Sequence, residues 1–511
     1  MLGWLLTAPL AVLSWLFSPV PLTVIVLLCA WIYRAATKNF DFWKSRGVPG
    51  PAPCFPWGNE TGPPLSKPLY EVETWLYREH GGNKYCGFFE MHRPVLFVGD
   101  PDLIRSITIK DFEYFTDHSD QGIAEDLKGA LIALKGAKWK ESRAVLTPAF
   151  SSSKLKGMHQ LVLDNTQNLT KYVMEDMDKK GEVDIRDMFA RYTMDNIASC
   201  AFGVKSNSFD DSKSRFATEA SNLFQISFWG IVRFMAETVF PKPLLKWLPD
   251  PQQKAIDFFT DVVNKTIDYR DKHPTSSRDF LQLMMDTKDK EGNRILTSKS
   301  IMAQAVLFFI GGFDTTASLL TFAAYSLATH PEIQERVQEE TDEALSKHGA
   351  LTYDAVHEMP YLDQVLAETL RLYPPFSRTE RVATKDYTLP GTDIRLPAGT
   401  AVQMSPFAIQ RDPNNYPDPL RFDPDRFLPE EKERRHPCVY LPFGSGPRVC
   451  IATRFALFEA KVALVALLKE ATLKPTSTTP PPPAPLDKKS FILSPEGQKL
   501  PLLVVPRSKT G

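Results

Sequence analysis

Cysteine is scarce in this chain of 511 residues, which contains six. The six form no CxxC pair and lack the histidine partners of a zinc site, so we expect neither a disulfide scaffold nor a zinc module. Net charge is also nearly absent, because 60 lysines and arginines face 61 aspartates and glutamates. This balance excludes a polybasic nucleic-acid-binding protein, and we predict no nucleic-acid partner.

Charge is missing altogether from residues 2–33. A helix of that length would measure about 48 Å, against about 30 Å for the hydrocarbon core of a bilayer, so it can span once. Basic residues such as Arg34 and Lys38 follow the run, whereas a secretory signal begins with them. We therefore predict an uncleaved membrane anchor with the rest of the chain in the cytosol.

The rest of the chain is predicted to be one large domain. We divide the sequence into an anchor at 1–33, a basic and proline-rich linker at 34–56, and a domain at 57–511. Helical patterns dominate from about 120 to 375, and short strand-like runs such as VLFV at 95–98 come earlier. The expected fold class is α+β, mostly helical, with a small β region.

One predicted helix, from about 298 to 329, is apolar nearly all round and should be central and buried. Its middle carries GGFDTT at 311–316. Each interior glycine costs about 1 kcal/mol relative to alanine, and a buried Asp314 costs more unless it is paired. Two interpretations stay open: a helix crossing that needs small residues and holds Asp314 with a neighbouring base, or a functional site.

A second helical segment, around 361–373, contains Glu368 and Arg371. Residues three apart lie on one helical face and can form an ion pair, which alone is a common surface pattern. Here Leu366 and Leu370 make the flanks apolar, so the pair is predicted to be buried. Buried pairs are kept where a geometry has to be fixed.

The strongest local signal is FGSGPRVC at 443–450, which a helical apolar pattern follows at once. Cys450 is therefore predicted at the start of a helix, where free backbone N–H groups favour the thiolate. The glycines allow the loop to fold tightly around the sulfur, and Arg448 adds positive charge. Such a thiolate suits either a nucleophile or a metal ligand.

Taken together, these segments resemble the cytochromes P450. The loop at 443–450 resembles their haem-binding loop, 368–371 their ExxR helix, 311–316 their oxygen-binding helix motif, and PDRF at 424–427 their meander. Order and spacing also match, and Trp139 and Arg143 stand in the position of the WxxxR helix. The resemblance covers nearly the whole chain and is closest to the microsomal animal branch that includes the family-three enzymes. Ala452 departs from the glycine that the family usually has there.

The resemblance implies a single large P450 fold and haem, iron protoporphyrin IX with an axial thiolate, as cofactor. Cys450 would be the iron ligand, with Phe443 packed beside the haem and the sulfur. The candidates for holding the haem carboxylates are Trp139, Arg143, Arg381 and Arg448, with His118 as a further one.

The same resemblance assigns roles on the two sides of the haem. Gly311 and Gly312 would let oxygen and substrate approach, Thr315 would donate a hydrogen bond to the oxygen, and Asp314 would relay protons. Glu368, Arg371 and Arg426 would form a structural ion cluster. Predicted substrate contacts are 223–229, Phe308, Phe313, 375–377 and 491–493, and residues 224–234 are apolar enough to dip into the bilayer.

The implied reaction inserts one oxygen atom from O2 into a lipophilic substrate such as a steroid, fatty acid or xenobiotic. Electrons would come from NADPH through NADPH-cytochrome P450 reductase, with cytochrome b5 as a second candidate donor, at the endoplasmic reticulum membrane. Lys135, Lys138 and Lys140 would form the reductase-docking patch or a merely solvated face. The alternatives are a peroxide-rearranging synthase or isomerase, and a non-catalytic haem- or sterol-binding membrane protein. Asp314 and Thr315 favour the monooxygenase.

Overall fold

The computed structural model describes residues 19–60, 67–119, 125–180, 182–211, 215–224, 229–230, 232–233, 236, 247–249, 252–273 and 275–507. Residues 1–18 of the predicted anchor lie outside these ranges. So does much of the 224–234 stretch for which we predict contact with the bilayer.

Helices make up most of the described fold. In chain order the α-helices are α1 Pro19–Thr37, α2 Leu69–Glu79, α3 Pro101–Arg105, α4 Gly136–Leu146, α5 Ser152–Lys180, α6 Ile185–Ile197, α7 Arg215–Phe224, α8 Gln253–Lys272, α9 Phe280–Met285, α10 Ser298–Thr329, α11 Pro331–His348, α12 Tyr353–His357, α13 Pro360–Leu372, α14 Pro406–Ile409, α15 Pro429–Arg434 and α16 Thr453–Glu470.

The strands form three small sheets. They are β1 Tyr85–Glu90, β2 Arg93–Val98, β3 Glu182–Asp184, β4 Thr379–Val382, β5 Tyr387–Thr388, β6 Arg395–Leu396, β7 Ala401–Met404, β8 Ala471–Pro475 and β9 Pro501–Pro506. The largest sheet has the order β1-β2-β7-β4, in which only the β2–β7 pair is parallel. The other two have the orders β3-β9-β8 and β5-β6. The prediction of a mostly helical α+β fold is confirmed.

Helix α10 lies at the centre of the fold. The Thr297 side chain caps its start by accepting a hydrogen bond from the Ser300 N–H group at 3.2 Å, and Pro331 opens the next helix. Among the described helices it is the one long and apolar enough to cross a membrane, yet 72% of its most apolar stretch is buried. It is therefore a core helix, as its apolar pattern predicted.

Helix α1 exposes large apolar side chains. Leu27 is 64% exposed and Trp31 49%. Its described apolar part, Val26–Thr37, is shorter than a membrane span. The anchor at 1–33 therefore stays a prediction.

From Trp43 onward, the predicted linker packs against the rest of the described fold. Trp43 is buried and donates its ring N–H to the Phe88 carbonyl at 3.0 Å, while the Pro49 carbonyl accepts the Gly87 N–H at 2.7 Å. At Gly50 a Cβ would come within 1.9 Å of the Gly87 oxygen, so this close approach requires glycine. The proline-rich segment thus attaches the chain rigidly to strand β1.

Candidate functional site

The cysteine loop closes on itself through its backbone. The Cys450 N–H donates to the Phe443 carbonyl at 2.9 Å, across a 3-10 turn at Gly446–Arg448. Gly446 has φ 71°, and a Cβ there would lie 1.8 Å from the Thr108 oxygen. Both the conformation and the space therefore demand glycine at this position.

Cys450 ends this loop, just before α16 begins at Thr453. Its surface is accessible, yet enough protein surrounds it for burial to raise the pKa of the thiol. Hydrogen bonds from the backbone of Ala452 and Thr453, and the charge of Arg143, act in the opposite direction. The predicted N–H donors are present, but burial outweighs them in the free thiol. A metal cation at the sulfur would supply the remaining stabilisation of the thiolate.

The Arg448 guanidinium group is buried among backbone carbonyl groups. It donates to the carbonyls of Thr116 at 2.7 Å, Leu131 at 3.3 Å and Leu134 at 2.7 Å. Its guanidinium carbon lies 4.2 Å from the centre of the Trp139 ring. Burial lowers the pKa of Arg448 to about 9.

Arg381 is 1% exposed and donates to the carbonyls of Glu380 and Ser445. Its Nε atom has no hydrogen-bond partner among the described residues. Burial lowers the pKa of Arg381 to about 10. Burial, followed by the charges of Arg381 and Arg448, lowers the pKa of His118 to about 3.

The guanidinium groups of Arg143, Arg381 and Arg448, with the uncharged Trp139 and His118, form a site that we call the cationic cluster. The charges of Arg381 and Arg143 both lower the pKa of Arg448, so the guanidinium groups repel one another across a short range. Asp117 lies 3.8 Å from Arg448 and offsets part of that charge. An excess of positive charge with an unused buried donor suits a ligand that carries carboxylates.

Glu368, Arg371 and Arg426 lie together, with the first two fully buried and Arg426 partly buried. Arg371 donates to both Glu368 oxygens, at 2.6 and 2.8 Å, and both side chains are 0% exposed. Arg371 also donates to the carbonyls of Gln410 and Pro419, and Arg426 lies 3.6 Å from Glu368. The pair therefore connects α13 to the turn that carries the meander motif.

On α10, the structure brings Gly311 and Thr315 together. The Thr315 hydroxyl donates to the Gly311 carbonyl at 2.5 Å. A Cβ added at Gly311 would meet nothing within 4 Å, although the helix around it is buried. Gly311 therefore leaves open space beside the Thr315 hydroxyl.

Gly312 and Asp314 instead face α6. A Cβ at Gly312 would come 2.7 Å from Ile197 Cδ1, so this glycine allows the helices to cross closely. Asp314 is 7% exposed and forms a very short ion pair with Arg186 of α6. The small size of Gly312 thus serves the helix crossing, and its role in letting oxygen approach stays a prediction. For these two residues the helix-crossing interpretation describes the contacts.

Two of the predicted substrate contacts, Phe308 and Phe313, lie among other phenylalanines. Phe313 stacks on Phe309 with centroids 5.9 Å apart, and Phe308 contacts Phe150 and Phe280. Sequence reasoning missed Arg186 and Gln304, which are buried polar residues in α6 and α10. Their partners are distant in sequence, and no motif marks them.

This arrangement fits a haem-thiolate type of site, because it combines an accessible cysteine in a glycine loop, the cationic cluster, and an open stretch on a buried helix. Comparisons with known proteins agree. A family model described as Cytochrome P450 matches residues 48–502. Cytochrome P450 9e2 of Blattella germanica is 40% identical, over 94% of this chain and 96% of the relative. Cytochrome P450 3A31 of Mesocricetus auratus is 36% identical, over 98% of both. The chain belongs to the cytochrome P450 family.

Family membership confirms haem with an axial cysteine thiolate as the cofactor. It also gives the class of chemistry, which is that of an oxidoreductase of the monooxygenase type. A redox partner, O2 and lipophilic substrates come with that class.

Proposed function

We propose that this protein is an NADPH-supported monooxygenase of the endoplasmic reticulum membrane, with Cys450 as the axial haem ligand. Its substrate is a lipophilic small molecule such as a steroid, a fatty acid or a xenobiotic. The observation that carries the proposal is the closed loop at 443–450, which leaves Cys450 accessible and places the backbone N–H groups of Ala452 and Thr453 at its sulfur.

The cationic cluster fits the carboxylates of haem. The Arg381 Nε donor has no partner among the described residues, and the repulsion of Arg448 by Arg143 and Arg381 would be relieved by two anionic groups. Trp139 contributes its ring N–H and supports Arg448 from one side. Phe443, whose carbonyl accepts the Cys450 N–H, limits water near the sulfur. When bound, haem supplies the oxygen-activating chemistry.

Two residues of α10, Thr315 and Asp314, are assigned to proton transfer. The Thr315 hydroxyl can turn from the Gly311 carbonyl toward the open space and hold a proton donor there. Asp314 is held by Arg186, so it can carry a proton inward only when that ion pair opens. We therefore assign Thr315 to proton delivery and Asp314 to its supply.

Thr315→Ala should fold and bind substrate but waste reducing power. Without the hydroxyl, oxygen is released more often as hydrogen peroxide, so product per NADPH falls while NADPH use continues. General acid–base steps contribute about 10²- to 10⁴-fold, and a water molecule can recover part of that. The measurement is the ratio of product to peroxide to NADPH at saturating substrate.

Thr321→Ala is the matched control for this change. Thr321 lies on the same helix, is 0% exposed, and makes the same type of bond, to the Ala317 carbonyl at 2.6 Å. It should leave the ratio unchanged. An unchanged ratio in Thr315→Ala as well would make Thr315 a packing residue and favour the peroxide-rearranging alternative.

Electron delivery is assigned to the face beside α4. Lys135, Lys138 and Lys140 are exposed there and flank the buried Trp139 of the cationic cluster. A basic patch of this kind suits the acidic surface of a reductase, with cytochrome b5 as a second donor.

The membrane assignment predicts that the intact chain sediments with microsomes and resists extraction by high salt. The exposed apolar side chains of α1 and the uncharged run at 2–33 are the reason. Protease added from the cytosolic side should digest the body of the protein. Digestion only after the membrane is permeabilised would reverse this topology.

A further inference from the structure

Gln304 is a buried polar residue of α10 that has no role in the proposed binding of haem or transfer of protons. It is 0% exposed, and its amide makes two hydrogen bonds to one loop. The Oε1 atom accepts the Leu131 N–H at 2.9 Å, and the Nε2 group donates to the Gly129 carbonyl at 2.9 Å. The helix thereby fixes the backbone of residues 129–131.

The same loop is held from its other side by Arg448. The Leu131 carbonyl accepts from Arg448 Nη1 and the Leu134 carbonyl from Nη2. Leu131 is therefore bonded at both ends of its backbone, its N–H to Gln304 and its carbonyl to Arg448. Hydrogen bonds at the two ends of Leu131, linked by its backbone, therefore connect α10 to the cysteine loop.

Gln304 also lies on a particular face of α10. It precedes Thr315 by eleven residues, which is about three full turns at 3.6 residues per turn, and Gly311 by seven, about two turns. The three residues therefore share one side of the helix. The face that borders the open space beside Thr315 is the face that holds the loop.

We propose that Gln304 is a positioning residue that holds Arg448 in place through the backbone of Leu131. Among the described residues no acid lies within hydrogen-bond distance of Arg448, so the loop carbonyls of Leu131 and Leu134, together with that of Thr116, set its orientation. When those carbonyls move, the guanidinium group moves with them. This proposal rests on the proposed function, in which Arg448 helps to hold the haem carboxylates.

Gln304→Leu removes both hydrogen bonds and keeps an apolar side chain of similar size. In the haem-loaded protein we expect faster amide hydrogen exchange in the peptide 127–135 and faster transfer of haem to apomyoglobin. Mutations along such a connection change coupling by about 2- to 30-fold, which sets the expected range for both rates. Gln304→Glu should keep both rates close to those of the original protein. Burial holds the new carboxyl group neutral, so it can still donate and accept a hydrogen bond.

Gln334→Leu is the matched control. Gln334 is 2% exposed and bonds in the same way, accepting the Leu473 N–H at 2.7 Å and donating to the Leu473 carbonyl at 2.9 Å, in α11 against β8. Gln334→Leu should speed the amide hydrogen exchange of residues 471–475 and leave the rate of haem transfer unchanged.

The proposal is overturned if Gln304→Leu transfers haem no faster than Gln334→Leu, even when the 127–135 peptide exchanges faster. In that case Gln304 holds the loop without affecting Arg448. If Gln304→Leu does not fold, Gln304→Asn gives the same test, since its amide is too short to reach both backbone groups. Wild-type protein that takes up no haem would refute the proposed function instead, and hydrogen exchange of the haem-free protein would still test the link from Gln304 to the loop.

Discussion

Arg371→Ala is expected to yield little folded, haem-loaded protein. Removing the guanidinium group leaves Glu368 buried, and its remaining partners among the described residues are the more distant Arg426 and one backbone N–H. It also removes the donors to the carbonyls of Gln410 and Pro419. Breaking a buried ion pair in this way costs about 3–5 kcal/mol, a large share of the stability of a typical domain. The measurement is the haem content of purified protein together with its unfolding midpoint.

Arg434→Ala provides the comparison. Arg434 pairs with Glu431 at the same spacing along a helix, but their side chains are 73% and 41% exposed. A surface pair of this kind contributes about 0–1 kcal/mol. Normal haem content in both variants would show that the cluster of Glu368, Arg371 and Arg426 has no structural role.

Cys450→Ser is expected to abolish monooxygenation. Serine keeps the size of the side chain and the loop, but its hydroxyl is a far poorer anionic ligand than a thiolate. The other five cysteines serve as controls: Cys86, Cys200 and Cys438 are buried, whereas Cys29 and Cys54 are exposed. Serine at Cys54, for example, should leave the activity as it is. Activity that survives in Cys450→Ser and disappears in another cysteine variant would move the ligand elsewhere.

The elements that local sequence pattern controls were predicted well. The bounds of α10 follow from a capping threonine at one end and a proline just beyond the other. The predicted helix around 361–373 is α13, Pro360–Leu372, and the run at 95–98 lies in β2. In each case the signal lies within the segment itself.

The N-terminus of α16 was predicted less well. The helix begins at Thr453, so Cys450 lies in the turn that precedes it and receives N–H groups from Ala452 and Thr453. The sequence showed these donors but not the burial that raises the pKa of the thiol. Burial depends on how distant chain segments pack around the sulfur, and the opposing charge of Arg143 also comes from a distant element, α4.

Contacts across large sequence separations were the ones that the sequence could not provide. Asp314 was expected to need a base, but nothing identified Arg186, which lies 128 positions earlier. Gly312 and Gly311 look alike in sequence, yet one meets Ile197 and the other open space. Which neighbour a helix face meets is decided by tertiary packing, and the pattern of a single helix does not contain it.

The most direct test of the central claim is the absorption spectrum of the purified, reduced protein under carbon monoxide, recorded beside that of Cys450→Ser. A haem held by the Cys450 thiolate predicts a strongly red-shifted Soret band in the original protein and its loss in the variant. A band without that shift in the original protein, or the same shifted band in both, would contradict the assignment of Cys450 as the haem ligand.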